Sequence, residues 1–157
     1  MHILAAMSIV CGAWFQPIPG WLQPQSAAAT LDQGRGAQIE SWVATFRVSP
    51  QYGISRRFPS DGIYISVNLV RPPAFGTAWR VSTVQLPLRL RNAEKNLPFE
   101  DPKFKMYRFI GRYRRQYNVD VQVIVRHPMR SVLARAEAEL GRLVLPRWVP
   151  VASRCHG

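Results

Sequence analysis

The residues best suited to chemistry lie in one stretch, residues 103–117, where lysines and arginines alternate with aromatic rings. Cations attract phosphate and carboxylate groups, and exposed rings stack on unpaired bases, so this combination is typical of proteins that bind single-stranded nucleic acid. It also fits a hairpin whose rings pack inside and whose arginines are solvated. The side chains that we expect to contact an anionic partner are Lys103, Lys105, Arg112, Arg114 and Arg115.

The whole chain is strongly basic, with a formal net charge of +12. Arginine outnumbers lysine by eighteen to three, a ratio that indicates either planar bidentate contacts or a GC-rich coding sequence. A field of this sign predicts attraction to polyanions or to anionic membrane surfaces. Salt weakens that attraction, because the Debye length is about 8 Å at physiological ionic strength.

Residues with catalytic potential are few and poorly placed. His127 precedes Pro128, an ordinary position at the start of a helix, and Ser131 fits an early helical residue better than a nucleophile. Glu100 and Asp101 are adjacent connector residues, which usually face solvent. The chain contains no Gly-x-Ser-x-Gly elbow, phosphate-binding loop or paired-cysteine motif. We therefore expect a non-catalytic protein, although distant residues can still converge in space.

Metal and cofactor sites are not expected either. The only close Cys/His pair, Cys155 and His156, lies at the end of a tail, while His2 and His127 are isolated. The other cysteine, Cys11, lies near the amino terminus, so removal of that segment would leave no partner for an intrachain disulfide.

The first 29 residues carry no Lys, Arg, Asp or Glu and are typical of an export signal. Residues 3–15 are apolar except for Ser8, a length that suits a signal peptide and is too short to span a bilayer. The small residues that end at Ala29 place the predicted cleavage after that position. A basic amino-terminal region is missing, so a buried cytosolic helix is one alternative, and a lipoprotein anchored on Cys11 is another.

Beyond this segment, hydrophobic periodicity predicts a single domain. Alternation at residues 41–48, 63–69 and 84–91 predicts strands, the last at an edge or with a bulge because of Pro87. Residues 103–111 and 117–126 predict a hairpin, with Val119, Val121, Val123 and Val125 on one apolar face. Residues 129–140 change to helical spacing, and residues 143–145 predict a short last strand or a tether.

These elements predict the α+β class: an antiparallel β-sheet of five or six strands, with one C-terminal α-helix packed on a face. We divide the chain into a signal peptide (residues 1–29), a flexible lead-in (30–40), one domain (41–145) and a flexible basic tail (146–157).

The order of turns and strands resembles a group of uncharacterised exported bacterial domains. The resemblance covers residues 42–145 and rests on residues 58–65, on residues 86–90, on the hairpin that ends in residues 119–125, and on the alanine-rich helix. The layout is similar to PsbP and Mog1-like domains, which implies an antiparallel sheet with helical packing and no particular activity. A PsbP-like domain would carry more helix than residues 92–102 provide.

Together these patterns predict an exported, basic, non-catalytic domain in the periplasm, the cell envelope or the extracellular space. Its expected partner is an anionic envelope polymer, lipid head groups or another envelope protein. The alternative is an intracellular protein that binds single-stranded nucleic acid through the hairpin at residues 103–117.

Overall fold

Residues 14–15, 19–22, 28–32, 36–48, 58–70, 82–94 and 102–147 are described by the structure, a computed structural model. Over these ranges the chain forms β-strands, one α-helix and a single turn of 3-10 helix at Leu90–Asn92. In chain order, the elements are β1 (Trp14–Phe15), β2 (Ala28–Asp32), β3 (Gly36–Ala44), β4 (Ile63–Val70), β5 (Lys105–Tyr113), β6 (Tyr117–Val125), α1 (Arg130–Leu140) and β7 (Leu143–Val144).

The main sheet has the strand order β2-β3-β4-β6-β5, and each neighbouring pair is antiparallel. β1 pairs separately with β7. The predicted α+β class, an antiparallel sheet with one C-terminal helix, is confirmed. β4, the hairpin β5–β6 and α1 lie within a few residues of their predicted positions, because each follows a clear local period.

The strand predicted at residues 84–91 is wrong. This part of the chain forms isolated bridges at Thr83 and Glu94, with the 3-10 turn between them. Pro87 has no backbone N–H and could not donate a ladder hydrogen bond. The apolar alternation reflects burial instead, since Val84, Leu88 and Leu90 all join the main core.

Two elements lie where the sequence predicts a signal and a lead-in. β1 falls inside residues 1–29 and pairs with β7, and β2 crosses the predicted cleavage position after Ala29. β3 begins at Gly36, earlier than the strand expected from residue 41. The predicted tail also begins in the described part, where the carbonyl of Pro146 accepts a hydrogen bond from the Tyr117 hydroxyl.

The main core lies on the sheet face that α1 covers. Val119, Val121, Val123 and Val125 are fully buried there, which confirms the predicted apolar face of β6. Burying each such side chain stabilises the fold by about 1.5 kcal/mol or more. From the helix, the buried apolar side chains are Val132, Ala136 and Leu140.

A second, smaller core lies on the opposite face at one end of the sheet. Phe58, Tyr64 and Phe104 are buried in it, and the rings of Phe58 and Phe104 meet edge-on at 5.1 Å. Gly62 precedes β4 and has no positive φ; in the described ranges the only glycine with a positive φ is Gly20. Gly62 is needed for space instead, because an added Cβ would lie 2.8 Å from the Phe58 ring.

Candidate functional site

The turn between β5 and β6 presents two consecutive arginines in an unusual backbone conformation. Arg114 has φ 47° and Arg115 has φ 58°, so both lie in the left-handed region. An L-residue with a Cβ is destabilised there by about 1 kcal/mol or more of conformational free energy. The sequence Asn-Gly would adopt such a turn at a lower free energy. The backbone N–H of Gln116 donates to the carbonyl of Tyr113 at 2.9 Å and closes the turn.

Two buried tyrosines hold the base of this turn. The rings of Tyr113 and Tyr117 are 5.7 Å apart, and the Tyr117 hydroxyl donates to the carbonyl of Pro146 at 2.6 Å. Burial raises the pKa of Tyr117, so its hydroxyl remains a neutral donor. The Arg114 guanidinium lies 5.4 Å from the centre of the Tyr113 ring, a cation–π distance.

The structure divides the five predicted binding residues into two groups. Lys103 precedes β5 and Lys105 is its first residue, whereas Arg112, Arg114 and Arg115 lie at its far end. Lys105 and Arg112 are seven positions apart, roughly 23 Å along a strand, and an odd spacing places them on opposite faces. All five side chains are exposed. We call Arg112, Arg114 and Arg115 the arginine turn.

Several other arginines are occupied by partners within the fold. Arg108 forms a bidentate pair with Asp120, with Nε–Oδ1 at 2.9 Å and Nη2–Oδ2 at 2.7 Å. Arg89 lies 3.6 Å from a Glu137 carboxylate oxygen, and Arg135 lies 3.9 Å from one of Asp61. None of these three ion pairs involves the arginine turn.

Arg108 is a polar group that the sequence did not single out. The hydrogen bond to Asp120 raises the pKa of Arg108 despite its partial burial, and Gln122 donates to the same carboxylate at 3.2 Å. Directly across the sheet, Arg108 faces Gln122 and Asp120 faces Ile110, so the ion pair is diagonal. Only the strand register reveals such a contact; the sequence shows no more than opposite charges on two neighbouring strands.

The aromatic rings of the hairpin are directed mainly into the protein. Phe104, Phe109, Tyr113 and Tyr117 are buried, and Tyr107 is half-buried. A ring must present a free face to stack on a base. In this conformation the hairpin therefore offers positive charge and hydrogen-bond donors. Its aromatic rings present little free surface on which a base could stack.

A cleft of about 320 Å³ lies between the outer edge of β5 and residues 82–94. At one end, Arg112 exchanges backbone hydrogen bonds with Ser82 and Val84, and at the other Arg108 exchanges them with Glu94. The described lining residues contain no histidine, cysteine or lysine. They are Ser82, Thr83, Val84, Gln85, Pro87, Leu88, Arg89, Asn92, Glu94, Arg108, Phe109 and Ile110.

Over the described ranges, no three His, Cys, Asp or Glu side chains are grouped closely enough to hold a metal ion. His127 lies after β6, where its Nδ1 is 3.2 Å from the carbonyl oxygen of Ser60. No described helix has the length and apolar character needed to cross a bilayer.

Comparisons with protein-family models, curated proteins and solved structures give no match to this chain. The resemblance to exported bacterial domains and to PsbP and Mog1-like layouts therefore stays a prediction from sequence patterns.

Proposed function

We propose that this chain is an exported, non-catalytic protein that binds an anionic polymer or anionic lipid head groups through the arginine turn. One observation carries the proposal: three exposed arginines are grouped at the end of a hairpin, and two of them occupy backbone conformations that cost free energy. Unfavourable conformations that persist in a fold are often associated with functional sites.

The electrostatics of the molecule support this function. A net charge of +12 attracts anions over distances comparable to the Debye length, and the arginine turn is a local concentration of that charge. Each arginine near an anionic membrane contributes about 1 kcal/mol. Three of them give useful affinity for a surface that presents many phosphates or carboxylates.

Burial of the hairpin rings favours this proposal over the nucleic-acid alternative. Single-stranded nucleic acid is held by charge together with base stacking, and stacking persists when salt screens the charge. With Phe109 and Tyr113 buried and Tyr107 half-buried, the hairpin offers little ring surface for stacking, and charge is the main component. Polythymidine should consequently bind no more tightly than polyphosphate, which has no bases.

The proposal can be tested with the full chain by measuring its binding to polyphosphate and to lipid vesicles at low and high salt. We expect binding to polyphosphate and to phosphatidylglycerol vesicles at low salt, no binding to phosphatidylcholine vesicles, and release at high salt. Anion binding that persists unchanged at high salt, or equal binding to both vesicle types, would contradict the proposal. Tighter, salt-resistant binding of polythymidine would favour the nucleic-acid alternative.

A further inference from the structure

The cleft beside β5 lies at the edge of the sheet, and backbone hydrogen bonds join its two walls. Along a strand, alternate residues direct their backbone groups to the same edge, and Arg108, Ile110 and Arg112 face outward from β5. Segment 82–94 occupies the outward groups of Arg108 and Arg112 with backbone hydrogen bonds of 2.8–3.1 Å. Between these two bridges, the Ser82 hydroxyl donates to the carbonyl of Ile110 at 3.0 Å.

The spacing of the bridges excludes an added β-strand as the occupant. Of the outward-facing residues of β5, only Ile110 lies between the bridged Arg108 and Arg112, and strand addition needs a run of free backbone groups. The cleft is closed at both ends, so its occupant must be short. A volume of about 320 Å³ is at the lower limit of small-molecule sites, which span about 300–1,000 Å³.

The charges around the cleft differ from those of the rest of the molecule. Its two guanidiniums are already matched with carboxylates, Arg89 with Glu137 and Arg108 with Asp120. The lining adds a further carboxylate, Glu94, whose charge also acts on Arg108. The cleft is therefore not cationic, although the chain as a whole carries +12. An anionic ligand would therefore gain little binding free energy in the cleft. A cationic ligand would be repelled by the two guanidiniums.

The remaining lining alternates donors and acceptors over an apolar floor. The amides of Gln85 and Asn92 both donate and accept, the Thr83 hydroxyl does the same, and Glu94 accepts. Leu88 and Phe109, which are buried in the main core, form part of the floor. A ligand hydroxyl also donates and accepts at once, so several hydroxyls on a compact ring match this lining.

We propose that this cleft binds a neutral, hydroxyl-rich ligand of one or two sugar rings. The site is separate from the arginine turn: it uses side chains of segment 82–94 and the edge of β5, and no exposed arginine of the turn lines it. Because the ligand is neutral, it forms hydrogen bonds but no ion pair with the lining, so its affinity should respond little to salt.

The test is an NMR titration of the isotope-labelled full chain with maltose, lactose and N,N′-diacetylchitobiose. We expect at least one of these sugars to shift the backbone amides of Asn92, Glu94 and Ile110 in a saturable way, at low and at high salt alike. The proposal is overturned if none of the three shifts these amides, or if the shifts disappear at high salt.

Variants separate this site from the proposed anion site. Glu94→Gln keeps the backbone bridge to Arg108 but replaces a charged acceptor, and it should weaken sugar binding about tenfold. Gln85→Trp should block the cleft. The double variant Arg114→Gln/Arg115→Gln should leave sugar binding unchanged while polyphosphate binding falls. Unshifted amides in β4 verify that each variant is folded, and sugar binding that survives Gln85→Trp contradicts the proposal.

Discussion

Glu139 is a carboxyl group in an apolar environment. Its side chain is completely buried, and neither carboxylate oxygen has a hydrogen-bond partner. Burial raises the pKa of Glu139 to about 7, although the positive charge of Arg142 acts in the opposite direction. The helical spacing contains a signal for this burial, because residues 132, 136 and 139 fall on one stripe of α1.

Replacing Glu139 with glutamine should change how stability depends on pH. The folded pKa of about 7 exceeds the ordinary value of 4.5, so the protonated carboxyl stabilises the fold fully below pH 4.5, and this contribution is lost as the pH rises through 7. Glu139→Gln should remove that loss. Above pH 7, the free energy of unfolding of the variant should therefore exceed that of the wild type by about 3 kcal/mol. Urea unfolding across this range measures the difference.

The half-buried neighbour Glu137 provides the control for this measurement. Glu137→Gln removes a carboxylate from the same helix, and its loose contact with Arg89 contributes little stability. We expect parallel pH profiles for Glu137→Gln and the wild type. A profile for Glu139→Gln that also runs parallel to the wild type would mean that Glu139 does not titrate in a buried site.

At the scale of elements, the attachment of segment 82–94 to β5 depends on a glycine. An added Cβ on Gly111 would collide with the carbonyl oxygen of Ser82 and lie 2.8 Å from Val84 Cγ2. Gly111→Ala should therefore push this segment away from the strand and destabilise the fold by about 1–3 kcal/mol. Thermal unfolding measures the loss, and the shifts that sugars cause at Ile110 should also weaken.

Gly141→Ala is the matched substitution in an open position. Gly141 has φ −65°, and the nearest atom to an added Cβ is 3.4 Å away. An alanine there should be neutral or stabilising by up to about 1 kcal/mol. Equal effects of the two substitutions would show that segment 82–94 does not pack tightly against β5.

The turn between β5 and β6 allows stability and binding to be changed in opposite directions. The double variant Arg114→Asn/Arg115→Gly keeps the turn but supplies residues that accept a positive φ. Its free energy of unfolding should therefore rise by about 1 kcal/mol. Polyphosphate binding should fall, because two guanidiniums are lost. Calorimetry and a binding titration on the same samples measure both effects.

Arg112→Gln is the control for this turn variant. It removes one charge from an exposed strand position without changing the turn, so binding should fall and stability should stay the same. If the Asn-Gly variant loses stability, the left-handed conformations of Arg114 and Arg115 are not costly. If it keeps full affinity, these arginines do not bind the anion.

Local periodicity explains which elements could be predicted. β4 and β6 place apolar residues at alternate positions and α1 places them at helical spacing, so a period of two or 3.6 residues reveals these elements in the sequence. Segment 82–94 also alternates, but its β-pairing with β5 is limited to isolated bridges at Thr83 and Glu94. Those bridges, the cleft and the Arg108–Asp120 pair all depend on which residues meet across the fold, and no local pattern encodes that.

For the whole molecule, the uncharged first 29 residues lead to a prediction about processing. Protein recovered from the medium or the envelope should begin at Thr30, as read by N-terminal sequencing. Such cleavage would remove β1 and the first two residues of β2, so β7 would lose its pairing partner. Protein that begins at Met1 and stays in the cytosol would contradict export. It would not bear on anion binding, which the binding titrations test.

The central claim is that anion binding depends on where the charges lie, and not only on the net charge. The most direct measurement compares the polyphosphate affinity of two variants that each lose three arginines. One is Arg112→Gln/Arg114→Gln/Arg115→Gln, and the other changes three exposed arginines elsewhere, Arg47, Arg91 and Arg147, to glutamine. Both have the same net charge, so long-range attraction is equally reduced in the two.

We expect the variant of the arginine turn to lose about a hundredfold in affinity, if each lost contact contributes about 1 kcal/mol. The variant changed elsewhere should keep most of its affinity. Equal losses in the two variants would contradict the account, because the anion would then respond to the overall charge of the molecule and not to the arginine turn.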